Sequence, residues 1–562
     1  MIYQFLSEKI NEIIKDLGYN ITVIKSNRPD ISDYQIDDCF KLAKKYKENP
    51  MVIGNKIVDL INNYRLFSSY FTSVTLQKPG FINITISPKL INERLSLMIT
   101  CEKFGISKPN SDDLYFIDYG GPNVAKPLHV GHMRTAIVGE AIKRIINYYG
   151  YKTISDVHLG DYGLQIGEVI YAAINENIDI SQIDINYLDK TYPMMNQKCK
   201  SDSQLKEKCA LITKKLQEGN LLYQKYFKKI VEVSVKDIKK IYDYLGVSFD
   251  LWLGESDSYK DISILEKKLK EKGLLEDSLG AKVIDVSLES DVKEIPPMIF
   301  QKSNGAYLYS TTDLATIYSR VKNYHPNYIL YVVDNRQSLH FTQVFRAAKK
   351  LGIGCYLEHL GYGTVNGKDN KPYKTRNGNT PKLSELFSET KKIFVSKKES
   401  NHLMSENDLD IIVNSILKFA DLQNSREKDY IFDINKFSET NGKTGPYVLY
   451  TYLRIDKILK NYKYSFHNFK NNIYNNYDRD LRIKLLDLDS ALNSAFINRK
   501  PNYLVDYIYE LCVLVNTFYQ NNHIADIVDE DKLNDWLCVL SLSNKVIKEM
   551  INLLGIDIPT KM

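Results

Sequence analysis

Leu114-Tyr115-Phe116-Ile117-Asp118-Tyr119-Gly120-Gly121 is followed closely by His129-Val130-Gly131-His132, and then by Met133, Ile137, Ala141, Ile145 and Tyr148. The first run is a short apolar strand signal ended by two glycines. The later apolar positions recur every three or four residues, as one face of a helix does, and Gly150 stands where a left-handed residue would end it. Thr153 to His158 reads as the next strand. Strand, turn, helix, strand is the unit of parallel nucleotide-binding sheets, so the predicted fold class is α/β with a parallel-sheet core.

Working outward, residues 1–105 begin with an amphipathic helix and pass to Val74–Gln77 and Gly80–Ile86, two alternating runs around Pro79-Gly80. They predict a small α+β domain. The parallel-sheet domain is expected over 106–400, interrupted by a helical, Lys/Glu-rich insertion at about 165–275. Strand signals resume at Val283–Val286, Tyr328–Val333 and Tyr356–Leu360. Residues 366–382 are rich in Gly, Asn, Pro and Lys and read as a loop. Beyond 405 helical stripes dominate, such as Val448, Tyr452, Ile455 and Leu459 after Gly445-Pro446, so 405–562 is expected to be an all-α bundle.

The 562 residues are 44% hydrophobic and 26% charged, which excludes disordered, collagen-like and membrane-bundle classes. A net charge of +6 permits basic faces without identifying a nucleic-acid binder. The most apolar run, Tyr328–Val333, is too short to span a bilayer. The first twenty residues carry Glu8, Glu12 and Asp16 and have no secretion-signal pattern, so a cytoplasmic protein is expected. The seven cysteines form no CxxC pair, which argues against a disulfide framework, and no metal site is expected.

A helix start presents unpaired N–H groups and partial positive charge, and therefore favours phosphate. Gly131 lacks a Cβ and leaves room for close approach. Two imidazoles, His129 and His132, supply donors for oxygens that gain charge when phosphorus is attacked, and Lys126 adds a cation. A bare H-x-G-H arises by chance, and a histidine at a helix start is often only a cap. The flanking strand, the helix and Lys126 turn the balance toward nucleotide phosphate binding.

Gly121-Pro122-Asn123-Val124-Ala125-Lys126-Pro127-Leu128-His129-Val130-Gly131-His132-Met133-Arg134 resembles the signature of class I aminoacyl-tRNA synthetases, specifically the arginyl-tRNA synthetase family. Leu159-Gly160-Asp161-Tyr162-Gly163-Leu164-Gln165, Tyr309–Ala315, Asp334–Phe341 and the closing Leu553-Leu554-Gly555-Ile556 with Met562 resemble further blocks of that family. The resemblance runs nearly end to end. It implies a Rossmann-type catalytic domain, ATP-dependent formation of arginyl-adenylate, and transfer of the arginyl group to tRNA(Arg). It further implies Mg²⁺ accompanying ATP and a monomeric enzyme.

By the resemblance, His129, His132 and Lys126 are catalytic, and His129, Gly131, His132, His340, Lys374 and Arg376 bind ATP. Gly121, Asn123, His132, Tyr309, Asp313 and Gln337 bind arginine. A guanidinium is a planar charged fork that calls for a coplanar carboxylate, which suits Asp313. Position alone instead favours Asp313 as the cap of a helix over Leu314–Val321, and Tyr309 as a packing tyrosine. The family's second motif is degenerate here: Tyr373-Lys374-Thr375-Arg376-Asn377-Gly378 takes its place, Lys126 compensates by resemblance, and a solvated lysine-rich turn is the alternative. Gly121 and Tyr162 replace residues the family often has as serine and tryptophan. His158 and His359 read as packed or exposed. Lys457, Lys460, Lys463, Tyr447, Tyr450 and Tyr452 mix cations with aromatics, as contact with tRNA would require, although a solvated face has the same composition. Competing classes are another class I synthetase or nucleotidyltransferase, and a catalytically idle tRNA-binding paralogue.

Overall fold

A computed structural model describes residues 2–106, 111–373, 381–397, 404–464, 469 and 472–562. Near the N-terminus, strands Phe71–Gln77 and Phe81–Ile86 pair antiparallel around the Pro79-Gly80 turn, in a four-stranded sheet. Helix Pro50–Asn62 lies on this sheet through the buried Ile53, Ile57 and Ile61. It begins where Asn49 accepts the N–H of Met51 and Pro50 occupies the first turn, where no N–H is missed.

At the centre, four parallel strands run in the order Tyr356–His359, Tyr328–Tyr331, Leu114–Asp118, Lys152–Asp156. Helix Val130–Tyr148 makes the crossover between the last two and is buried along most of its length, which explains why its stripe is broader than a surface helix needs. Gly150 has φ +92, the left-handed conformation that ends the helix. The strand signal at Val283–Val286 has a different outcome. Ala281–Ile284 joins a separate antiparallel sheet with Glu276–Ser278 and Met298–Gln301. Leu279 and Gly280, both at positive φ, form the tight hairpin turn. A strand tied by hairpins has no crossover with which to enter a parallel sheet.

The insertion is helical from Leu164–Asn175 to Ile262–Glu271, yet it returns to the parallel sheet in its course. Leu251 and Gly254 form parallel bridges with Asp156 and Leu159. This return places Glu255, the first residue of a short helix, beside the carboxyl ends of the strands. Past residue 405 the chain folds into packed helices, among them Glu406–Leu422, Gly445–Lys460, Asn502–Asn521 and Glu530–Leu553, around a core that includes Trp536. Among the described residues one short strand interrupts them: Tyr430–Ile431, which pairs parallel with Val365–Asn366. Among the described residues no helix is long and apolar enough to cross a membrane.

Candidate active site

His129 is the cap of helix Val130–Tyr148, as its position at the helix start suggested, but capping and chemistry are not alternatives here. Its Nδ1 accepts the N–H of Gly131 at 3.1 Å, and the Nδ1 of His132 accepts the N–H of His129 at 3.2 Å. The rings lie 4.0 Å apart, centroid to centroid. An acceptor nitrogen carries no proton, so both neutral rings must hold theirs on Nε2. Burial, with the nearby positive charge of Lys126, lowers the pKa of His129. Burial, His129 and Lys126 push His132 down to about 3. At neutral pH the pair is therefore two uncharged Nε2–H donors at a helix N-terminus. Gly131 gives the first ring room: a Cβ there would stand 3.0 Å from His129 Cε1, tight enough to push the ring by a few tenths of an ångström. The half-buried Lys126 extends its ammonium over the ring of Tyr192, 5.1 Å from the centroid.

The segment before the helix is held open by its backbone. Gly160 donates its N–H to Pro122 and accepts that of Val124, and a Cβ on Gly160 would meet Asn123 Oδ1 at 2.6 Å. Asn123 is thus fixed against the Gly160-Asp161 turn. Gly121 is exposed, at φ +46. On the other side of His129, Lys382 forms an antiparallel bridge with it. Tyr373 donates its N–H to Val365 at 2.9 Å. The chain thus leaves the described residues at Tyr373 against Val365 and resumes next to Lys382 beside His129; Lys374 and Arg376 themselves lie outside the described residues.

Asp313 is not a cap. Helix Tyr309–Tyr324 starts after Leu308, which puts Asp313 in its second turn with Tyr309 one turn before it on the same face. Tyr309 is largely exposed. Asp313 accepts a 2.5 Å hydrogen bond from His340 Nε2, so the imidazole expected at the nucleotide and the acid expected at arginine are direct partners. Gln337 closes a short turn, Asn335–Gln337, capped by Asp334, and faces solvent three residues before His340.

The sequence reading missed Glu255. Its pKa is pushed up to about 8 by burial and by the carboxylates of Asp313 and Asp161. Asp161 has donors of its own in Ser256 N and Oγ. Glu255 forms no ion pair among the described residues. A carboxyl held protonated in this way is one that a cation brought beside it would ionise. The only local signal in the sequence was Gly254, where a Cβ would fall 2.5 Å from Asp161 Oδ2.

Helix Tyr309–Tyr324 is anchored further along by the buried Arg320, which pairs at 2.7 Å with Asp118 and with Asp156, residues that end two adjacent strands. His359 is packed as expected, stacked on Phe341, with its Nε2 against the Val333 carbonyl at 3.1 Å. His158 lies at φ +43 with both ring nitrogens buried and no hydrogen-bond partner among the described residues. Among the described residues no three His, Cys, Asp or Glu side chains form a metal cluster.

Residues 96–434 match the family described as tRNA synthetases class I (R), catalytic domain. The chain belongs to the class I arginyl-tRNA synthetase family. Residues 2–86 match the arginyl tRNA synthetase N terminal domain, and 448–562 the DALR anticodon binding domain. Curated family members named arginine–tRNA ligase include that of Alkaliphilus oremlandii, 38% identical, and that of Francisella tularensis subsp. novicida, 36% identical, each aligned over all of both chains. Among solved structures, arginyl-tRNA synthetase from Plasmodium falciparum superposes with a TM-score of 0.81 at 26% identity, over 99% of each chain. The Thermus thermophilus structure superposes at 0.83 with 20% identity over the whole of both chains and shares the fold.

Proposed function

We infer that this chain joins L-arginine to tRNA(Arg) through an arginyl-adenylate made from ATP. One observation carries the reading: two acids, Asp313, bonded to His340, and Glu255, with its pKa pushed up to about 8, lie at the same carboxyl end of the parallel sheet as a pair of neutral imidazole donors at a helix N-terminus.

In the first step a carboxylate oxygen of arginine attacks the α-phosphorus of ATP, and the bond to pyrophosphate breaks. Charge grows on the α-phosphate oxygens, where the Nε2–H groups of His129 and His132 and the ammonium of Lys126 act; each such donor is worth about 10²- to 10³-fold in rate. Because both rings are neutral, they donate without proton loss to the nucleotide. In the second step a hydroxyl of the terminal adenosine of tRNA attacks the arginyl carbonyl and AMP leaves. Asn123, Gly121 and His132 hold the amino-acid end, and Tyr309 and Gln337 line the side-chain pocket. Asp313 and Glu255 receive the guanidinium. Lysine cannot form the bidentate pair and citrulline lacks the charge, so both are bound less tightly than arginine. Mg²⁺ reaches the site on the ATP phosphates, since the described residues form no cage for it.

The tRNA runs along the C-terminal helices. A hollow there, about 330 Å³, is lined by Tyr452, Tyr464, Lys545 and Lys548 together with the ion pair of Lys460 and Asp456, a mixture suited to phosphate and to stacked bases. ATP–pyrophosphate exchange with each of the twenty amino acids, with and without tRNA, tests the assignment. Exchange is expected with arginine alone; equal exchange with lysine would refute the pocket.

A further inference from the structure

We propose that His340 is a positioning residue for arginine recognition: its imidazole holds Asp313 by one carboxylate oxygen so that the other is presented, in a fixed plane, to the incoming guanidinium. The proposal rests on the reading of Asp313 as an arginine ligand and deepens it.

The bond itself is short and directional. His340 Nε2 lies 2.5 Å from Asp313 Oδ2, and a carboxylate oxygen only accepts, so Nε2 carries the proton. The two residues come from different elements. Asp313 projects from the second turn of helix Tyr309–Tyr324, and His340 from the first turn of helix Ser338–Leu351. Their bond therefore braces the starts of the two helices that carry Tyr309 and Gln337. The side chains are 26% and 20% exposed, for His340 and Asp313 respectively, so the pair borders the cleft.

Asp313 needs such a brace because the terminal torsion of an aspartate is broad, and the bond from His340 selects one plane for its carboxylate. A guanidinium fork gains its second hydrogen bond only from a carboxylate already in its plane. His340 bonds Oδ2, which leaves Oδ1 and Glu255 as the acceptors for the two arms of the fork. The nitrogen that is bonded serves the amino-acid pocket and not the nucleotide.

Steady-state kinetics and ring NMR test this. His340→Phe keeps the bulk and removes the donor; KM for arginine should rise about 10-fold or more, while kcat and KM for ATP change by less than about threefold, the scale set by loss of substrate orientation. His340→Gln places an amide N–H near the lost Nε2 and should recover most of the arginine KM. A structural role alone would leave Phe and Gln equivalent and would spread the loss over both substrates, and either result overturns the proposal. In protein labelled with ¹⁵N-histidine, a downfield ring N–H resonance, absent in Asp313→Asn, should persist when L-arginine is added. Its disappearance would mean that arginine displaces the ring, against the proposal. Asp313→Asn separates the two levels of failure: if it leaves arginine KM unchanged, the pocket assignment fails, whereas a raised KM there with none in His340→Phe sinks only the role of His340.

Discussion

The Nδ1 of His132 accepts the backbone N–H of His129, and the Nδ1 of His129 accepts that of Gly131. This reciprocal cap satisfies two of the free donors of the helix start and at the same time fixes the tautomer of each ring. Local folding thus decides which nitrogen faces the cleft as a donor.

Replacing His129 or His132 singly by alanine should lower kcat for adenylate formation by about 10²- to 10³-fold, with a smaller change in ATP affinity. The losses should combine less than additively, because the rings share one cap. Rapid-quench measurement of adenylate formation checks this; a large drop in ATP affinity with intact turnover would mean that the pair only holds the ground state.

The same rings predict a pH dependence of stability. Their folded-state pKa values lie below the ordinary histidine value, with His132 at about 3. The unfolded chain therefore binds more protons than the folded one in the window between about 3 and the unfolded value near 6.5. Stability should fall as pH drops through that window and be unaffected by these groups above it. Urea unfolding of the protein and of His132→Gln between pH 7 and pH 4.5 should show a shallower decline for the variant.

Glu255 titrates at about 8 in the open pocket, so at pH 7 it is mostly protonated. A bound guanidinium favours the ionised form, and arginine binding should release up to about one proton per site at pH 7, fading toward pH 9. Calorimetry in buffers of different ionisation enthalpy measures the release directly. Glu255→Gln should abolish it and weaken arginine binding; an unchanged proton count in that variant would assign the release elsewhere.

Gly254→Ala tests the packing that delivers Glu255. The backbone there has φ −131, so alanine causes no backbone strain, but its Cβ would sit 2.5 Å from an Asp161 oxygen that Ser256 already holds. The expected cost is about 1–3 kcal/mol, visible in thermal unfolding, together with a raised KM for arginine. Wild-type values for both would show that the turn can yield.

The histidine pair, the parallel crossover and the C-terminal helices were legible in the chain, because each rests on local periodicity or on neighbours within a few positions; short strands such as Tyr34–Ile36, Met298–Gln301 and Tyr430–Ile431 were not. His129, Gly131 and His132 are joined by hydrogen bonds among themselves, so their spacing together with the flanking strand, helix and Lys126 was informative. Asp313 was singled out by resemblance, and its place inside a helix removes the capping alternative. Glu255 was not legible, since it comes near Asp313 only because the insertion returns to the sheet at Leu251 and Gly254. Nor was the partnership of His340 with Asp313, which depends on how two separate helices lean together over the strand ends. The strand at Ala281–Ile284 makes the same point in the backbone: alternation marks a strand, while its partners follow from connections the pattern does not contain. Periodicity is a property of adjacent residues and survives in one dimension; a charge without its counter-charge is a property of space, and exists only once distant segments have met.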